Sequence, residues 1–201
     1  MSGPDRLHSG QLRADLGQVT TIGRAIVVLE ETESTNDVVR ELAAKGHREG
    51  LVVFAEHQTA GRGQRGNIWI SMPGQALCLS ILLRPEVAVE NSIRLTGWAA
   101  ETVAATIHTH CAVEAVIKQP NDVYVNRRKV AGVLVEMRAQ PRAAHLAVIG
   151  IGLNVNQAVE DFPPDLRDRA TSLAIVTGSH QDRHRLAVAL LRNLDRSYAS
   201  G

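Results

Sequence analysis

From Leu51 to Ser71 the chain reads LVVFAEHQ, then TAGRGQRG, then NIWIS. The first run is rich in Val and Phe and predicts a strand, and Ile68-Trp69-Ile70 predicts the start of another. The loop between them carries three glycines and two arginines. Glycine lets backbone approach a ligand without a Cβ in the way. Arginine brings a forked, always-charged donor to a carboxylate or phosphate. Such a loop suits folding over an anion.

Gly61 to Gly66 also spells G-x-G-x-x-G, the dinucleotide fingerprint, which needs a helix starting on its last glycine to hold a pyrophosphate. Here Pro73 and Gly74 follow too soon for a useful helix, so a Rossmann reading fails. A kinase-type glycine flap fits locally, but no H-R-D or D-F-G signature follows.

The rest of the chain predicts an α+β fold. Leu7 to Leu16 suits a short amphipathic helix, and Arg24 to Leu29 a strand. Val38, Val39, Leu42 and Ala43 recur at helical spacing after Ser34-Thr35-Asn36-Asp37, and Ser34 with Asp37 resembles a capping box. Those small polar side chains could equally meet a polar ligand group. Gln75 to Arg84 is apolar on both faces, which predicts a central strand of a covered sheet. A core-facing helix is expected over Ser92 to His110. Val113 to Ile117 predicts a strand, and Lys118-Gln119-Pro120-Asn121-Asp122 a turn. Val123 to Val125 and Lys129 to Met137 form a hairpin around Asn126-Arg127-Arg128. Leu146 to Ile151 is a buried strand, Asp161 to Asp168 a connection, and a closing helix runs through Leu186 to Tyr198. About seven strands, partly joined as hairpins, with helices returning to one face, argue for a mixed, mostly antiparallel sheet and against a doubly wound one.

Lys plus Arg (22) nearly balances Asp plus Glu (21), so any anion site must be local. Cys78 and Cys111 lack metal-ligand spacing and suit reduced thiols in a cytoplasmic protein. No apolar stretch is long enough for a membrane helix, and Arg6, Arg13 and Asp15 break any signal-peptide core. His180 and His184, four apart, read as a solvated face and not as a metal site.

Four pieces need one explanation: Ser34-Thr35-Asn36, the glycine-arginine loop, Lys118 to Asp122 with Lys129, and Gly150-Ile-Gly-Leu-Asn154. They supply cations (Arg62, Arg65, Lys118, Lys129), the carboxylate of Asp122, amides and Trp69, but no recognisable activated nucleophile. Phosphate chemistry driven by positioning and charge stabilisation is the natural candidate.

In order and spacing these pieces resemble the catalytic core of biotin protein ligases. The resemblance rests on Ser34-Thr35-Asn36, on Ala55 through Trp69, on Lys118-Gln119-Pro120-Asn121-Asp122, on Arg128 through Glu136, and on Gly150 through Asn154. It covers the chain from about Arg24 onward and implies a lead-in over 1–23 and a catalytic domain over 24–201. The implied fold is the class II synthetase-like biotin/lipoate ligase domain, with helices packed on a mostly antiparallel sheet. The implied reaction joins biotin to ATP as biotinyl-5'-AMP and then passes biotin to a lysine of a biotin carboxyl carrier protein, as in acetyl-CoA carboxylase. By resemblance, Ser34, Thr35, Asn36 and Gln58 hold the biotin head group, with Gly61, Arg62, Gly63, Gln64 and Gly132 around it. Lys129 and Arg62 are the implied catalytic cations. Arg65, Trp69, Lys118, Asn121 and Asn154 would serve the nucleotide, and Asp122 a Mg²⁺ ion. Gln64 and Asn67 stand where repressor-type members carry further arginines.

The family usually continues into a small SH3-like barrel, whereas this chain stops after its closing helix, and no winged helix-turn-helix fits before Arg24. Neither DNA nor membrane is therefore an expected partner, while a homodimer is compatible with the resemblance. Two rivals remain at this point. A lipoate or octanoate ligase or transferase of the same fold would leave the polar Ser-Thr-Asn cluster unexplained. A biotin or biotinyl-adenylate binder without transfer activity would leave Lys118 and Lys129 unexplained.

Overall fold

The computed structural model describes residues 5–86, 88–139 and 144–199. The expected lead-in and catalytic domain also take in residues 1–4, 87, 140–143 and 200–201, which lie outside the described residues. The elements are α1 (Ser9–Leu16), β1 (Ala25–Thr32), α2 (Thr35–Ala44), β2 (Leu51–Gln58), β3 (Ala76–Leu83), α3 (Ser92–Cys111), β4 (Val116–Lys118), β5 (Asp122–Val125), β6 (Arg128–Arg138), β7 (Leu146–Asn154), α4 (Leu173–Thr177) and α5 (Arg183–Ala199).

Seven strands form one sheet in the order β1-β2-β3-β7-β6-β5-β4. Only β1 and β2 are parallel among these pairs; the others are antiparallel, so the mixed α+β expectation holds. As its two-faced apolar pattern predicts, β3 is buried throughout and sits between β2 and β7. A two-residue turn, Asn126-Arg127, joins β5 to β6 with both residues at positive φ (49° and 66°). That backbone twist suits a hairpin turn, and asparagine accepts it readily.

Period-two alternation divides the sheet into two unlike faces. Leu77, Leu79, Ile81 and Leu83 of β3 and Ile149, Ile151 and Leu153 of β7 point into the main core. That core also receives α3, α5 and Leu12 and Leu16 of α1. Leu7, Leu12, Leu16 and Ile22 of the expected lead-in thus pack into the same core.

On the opposite face α2 lays Val39 and Ala43 on Leu51, Val53, Leu82 and Val148. This corrects the expectation that all helices return to one face. Because α2 covers only one end, the strands beyond it are left open to form a site.

Two further expectations fail locally. Ile68-Trp69-Ile70 does not begin a strand: its ladder contact is a single bridge between Arg62 and Ile68. The segment folds back on its own loop, with Trp69 N donating to Gly61 O at 2.9 Å and Gly63 N to Asn67 O at 2.7 Å. Nor does Ser34 cap α2 with its side chain, although it holds the N-cap position. The Asp37 carboxylate that a capping box would turn back to the Ser34 backbone is occupied by Arg62 and Arg40.

Candidate active site

The open part of the sheet has a floor without side chains. Gly132 of β6 lies opposite Gly152 of β7, and Leu134 opposite Gly150. At Gly150 an added Cβ would lie 2.4 Å from Asn36 Oδ1, and at Gly152 it would lie 2.3 Å from the Trp69 ring. Glycine is therefore required at both positions because other side chains rest directly on the backbone.

Above this floor is a hollow of about 260 Å³, lined by Ser34, Thr35, Asn36, Gln58, Arg62, Gly63, Gln64, Arg65, Trp69, Lys118, Asn121, Asp122, Lys129 and Gly132 among others. Fourteen positions expected from the sequence thus surround one space. Gly61 abuts it, with its Cβ position 2.5 Å from Trp69 O and 3.1 Å from Gln58 Nε2. Asn154 does not line it and belongs to an adjoining hollow.

At the α2 end the hollow has a wall of neutral polar groups. Gln58 Oε1 accepts from Thr35 N (2.8 Å) and from Thr35 Oγ1 (3.0 Å). Thr35 Oγ1 lies 2.6 Å from Ser80 Oγ, and Ser80 Oγ donates to Asn36 Oδ1 at 2.5 Å. Asn36 Nδ2 donates to Glu136 Oε2 at 2.6 Å. Buried polar groups that satisfy one another in this way are held in fixed orientation. Ser80 is fully buried and was missed in the sequence reading. The signal was present: it is the one hydroxyl in the otherwise apolar β3 run.

The far end is charged. Lys129 Nζ lies 2.7 Å from Asp122 Oδ1, outside hydrogen-bonding alignment, and 5.9 Å from the centroid of the Trp69 ring. Lys118 Nζ stands 5.5 Å over the Tyr124 ring. Asn121 spends its amide on Val133 O at 3.1 Å, and Val133 N returns a bond to Asn121 O. It pins the β4–β5 turn to β6 and so holds Lys118 and Asp122 in place. Asn154 is likewise committed: it donates to Thr171 O (3.0 Å) and accepts from Gln157 (3.0 Å).

Among the described residues Asp122 is the only carboxylate lining the hollow, and no cluster of three metal-ligating side chains exists. Mg²⁺ is commonly held by one or two carboxylates together with substrate phosphates. The donor set therefore fits a cation delivered with a nucleotide and does not build an all-protein metal site.

Arg62 lines the hollow and is engaged by protein carboxylates. Its guanidinium forks onto Asp37 (Nη1–Oδ2 2.6 Å, Nη2–Oδ1 2.7 Å), with Glu136 Oε2 3.6 Å away. The Arg62 hydrogen bonds hold the Asp37 carboxyl below its usual range, and Asp37 in turn raises Arg62. Asp37 and Glu136 were not predicted as site residues. Arg65, at φ 57° near the loop tip, is exposed.

The adjoining hollow shares Ile68, Trp69, Asp122 and Lys129 and adds Ile70, Met72, Tyr124, Phe162, Pro163, Leu166 and Arg169. Its walls are mostly apolar. Cys78 is fully buried and its thiol is pushed up by burial, and Cys111 is also free. His184 pairs with Asp15, and His180 with Asp5.

Residues 28–154 match the family described as Biotin/lipoate A/B protein ligase. The chain is 34% identical over 195 residues to a bifunctional ligase/repressor BirA of Bacillus spizizenii, covering 97% of this chain and 60% of the relative. It is 38% identical over 181 residues to the biotin–[acetyl-CoA-carboxylase] ligase of Mycobacterium tuberculosis, covering 86% of this chain and 63% of that protein. The chain thus spans about 60% of the length of these curated relatives. Among solved structures, the biotin protein ligase of Aquifex aeolicus in complex with biotin and ATP superimposes with a TM-score of 0.76 at 30% identity, over 88% of this chain and 71% of that one. The biotin protein ligase of Leishmania major with biotinyl-5-AMP gives a TM-score of 0.68 at 27% identity, over 87% and 75%. From the sheet order, the glycine-floored hollow and these matches, the chain belongs to the biotin/lipoate A/B protein ligase family.

Proposed function

We propose that this chain activates biotin with ATP and transfers it to a lysine of a biotin carboxyl carrier domain, such as that of acetyl-CoA carboxylase. One observation carries the reading. A single hollow joins a wall of neutral hydrogen-bonding groups (Thr35, Asn36, Gln58) to a cationic end (Lys118, Lys129) across a floor of glycines. The neutral wall suits a ureido ring, which offers both donors and acceptors. A plain acyl chain would offer that wall neither a donor nor an acceptor.

In the first step a carboxylate oxygen of biotin attacks the α-phosphorus of ATP. The bond from that phosphorus to the bridging oxygen breaks, and pyrophosphate leaves. Two anions must meet, so the protein's task is to offset charge. Lys129, whose Nζ lies 3.1 Å from the Cβ position of Gly132 on the glycine floor, serves this role. Lys118 adds a second cation on the nucleotide side. Trp69 offers its ring for the nucleobase, while Asn121 and Asn154 serve the nucleotide indirectly by fixing the backbone around it. Asp122 would hold Mg²⁺ brought with the phosphates, which supplies further charge neutralisation. In the second step the neutral lysine amine of the acceptor attacks the acyl carbon. AMP leaves, and the amine loses a proton as the amide forms. Among the described residues no helix is long and apolar enough to cross a membrane, and the cytoplasm is the compartment we assign.

Biotin-dependent exchange of labelled pyrophosphate into ATP tests the first step, with lipoate and octanoate as controls. Exchange with biotin alone is expected; exchange with lipoate, or with none of the three, overturns the assignment. Lys129→Ala is expected to lower the exchange rate by roughly two to three orders of magnitude, the scale for losing one preorganised charge contact.

A further inference from the structure

The Arg62 side chain lines the hollow, yet its fork of donors is turned onto protein carboxylates. Asp37, in the first turn of α2, takes both terminal nitrogens at 2.6 and 2.7 Å. Glu136 of β6 stands 3.6 Å from one of them, and Arg40 also pairs with Asp37. A loop carrying Gly61, Gly63 and Gly66 has little stiffness of its own. Its base is held by backbone bonds from Thr59 N to Thr32 O and from Ala60 N to Glu33 O. Above that base, the Arg62 fork ties the loop to the two elements that flank the neutral wall. Asn36, next to Asp37 in the chain, also binds Glu136, so the tie and the wall share one network.

We propose that Asp37, backed by Glu136, is a positioning residue that latches the glycine-rich loop across the hollow through Arg62 and thereby sets how long the activated acid stays bound. The retention half of this inference rests on the function proposed above; the latch itself does not. Two-pronged arginine–carboxylate geometry gives the tie direction as well as charge. With Asp37 29% and Arg62 38% exposed, the pair is open to solvent and must weaken as salt screens it. The geometry argues for a latch that opens and recloses, not for a permanent staple.

The test begins with the whole, ligand-free chain. Trypsin cleavage within the loop, after Arg62 or Arg65, is followed by mass spectrometry for wild type, Asp37→Asn, Asp37→Glu and Glu136→Gln. Asp37→Asn is expected to speed loop cleavage about tenfold, the equivalent of losing one good charged fork. Asp37→Glu should restore most of the protection. Raising salt from about 0.05 to about 0.5 M should speed cleavage of wild type but not of Asp37→Asn. Equal rates across the four proteins overturn the latch. Preformed biotinyl-adenylate is then chased from wild type and Asp37→Asn, with about tenfold faster loss expected in the variant. Faster cleavage with unchanged adenylate loss overturns the retention role. If wild type makes no adenylate, the proposed function fails, and the cleavage contrast still upholds or overturns the latch.

Discussion

Strand β3 sends Leu77, Leu79, Ile81 and Leu83 to one side of the sheet and Cys78, Ser80 and Leu82 to the other, and the two sides treat charge in opposite ways. On the core side Arg183 is 1% exposed. Its guanidinium bonds Glu56 Oε2 (2.7 Å), Ala76 O (3.0 Å) and Asp5 Oδ2 (3.3 Å), while Glu56 Oε1 accepts from Leu7 N at 2.8 Å. About three turns farther along α5, Asp195 accepts from three successive backbone amides, Thr20, Thr21 and Ile22. Arg183, Glu56 and Asp195 are thus buried and partnered between α5, the sheet and the segment before β1. On the site side the charges of Asp37, Arg62, Glu136, Lys118 and Lys129 remain within reach of water. An enclosed ion pair has no alternative partner, whereas a half-exposed one can exchange its partner for a ligand. The same residue types thus act as fasteners on one face and as working parts on the other.

Removing a fastener should give the largest effect. Arg183→Ala leaves the Glu56 carboxylate buried without its cation, and a loss of roughly 3–5 kcal/mol of stability is expected in denaturant unfolding. A loss below about 1 kcal/mol would place that pair with the surface charges and erase the contrast. On the site side the reverse pattern is expected. Gly152→Ala drives a methyl group into the Trp69 ring and should weaken nucleotide binding about a hundredfold, as misplaced binding groups can. Its unfolding midpoint should change little, because only the site face is disturbed. Titration calorimetry and thermal melts of one preparation measure both.

Tyr198 tests a smaller core-side contact. Its hydroxyl donates to Glu49 Oε1 at 2.8 Å, and burial together with that carboxylate pushes the phenol well above its usual range. Tyr198→Phe should cost about 1 kcal/mol. The smallest effect concerns the Asp37 latch, where Arg62 and Arg40 face the carboxylate and Glu136 faces both arginines. With its folded pKa depressed, Asp37 contributes stability above its unfolded pKa of about 3.9 and loses it as pH falls through the lower folded value. The stability difference between wild type and Asp37→Asn should be about 0.5–1 kcal/mol and constant from neutral pH to about pH 5. It should vanish only in stronger acid, and its disappearance already at pH 6 would contradict the assignment.

What could be read from the sequence follows the same division. β3 was legible because a strand buried on both faces must be apolar throughout, and the helices of the core face announced themselves by period. Ser34 through Asn36, the loop and Lys129 were singled out by the order of their motifs, which resembles that of biotin protein ligases; residue types alone left Ser34 through Asn36 open to a helix cap. Arg183 escaped notice because it sits among Asp182, His184 and Arg185, a setting that reads as solvent-facing. Only the arrival of Asp5 and Glu56 from distant parts of the chain buries it. Asp37 was read as part of a helix cap because a local partner was visible in sequence and Arg62, 25 positions away, was not. Ile68 and Ile70 were read as strand because alternation is real there, but it arises from Trp69 turning inward while its neighbours stay exposed.

Trp69 resting on Gly152 has a spectroscopic consequence. The chain contains two tryptophans, and the other, Trp98, is fixed by Ser197 (2.9 Å) and stacked obliquely on Tyr198 at 5.6 Å on the far side of the sheet. Emission from the protein is therefore the sum of one partly buried indole packed against the core and one lying in the hollow. Any molecule settling on the glycine floor must shift or cover the second without touching the first. With Trp98 replaced by phenylalanine, the molecule becomes its own single-fluorophore gauge of site occupancy.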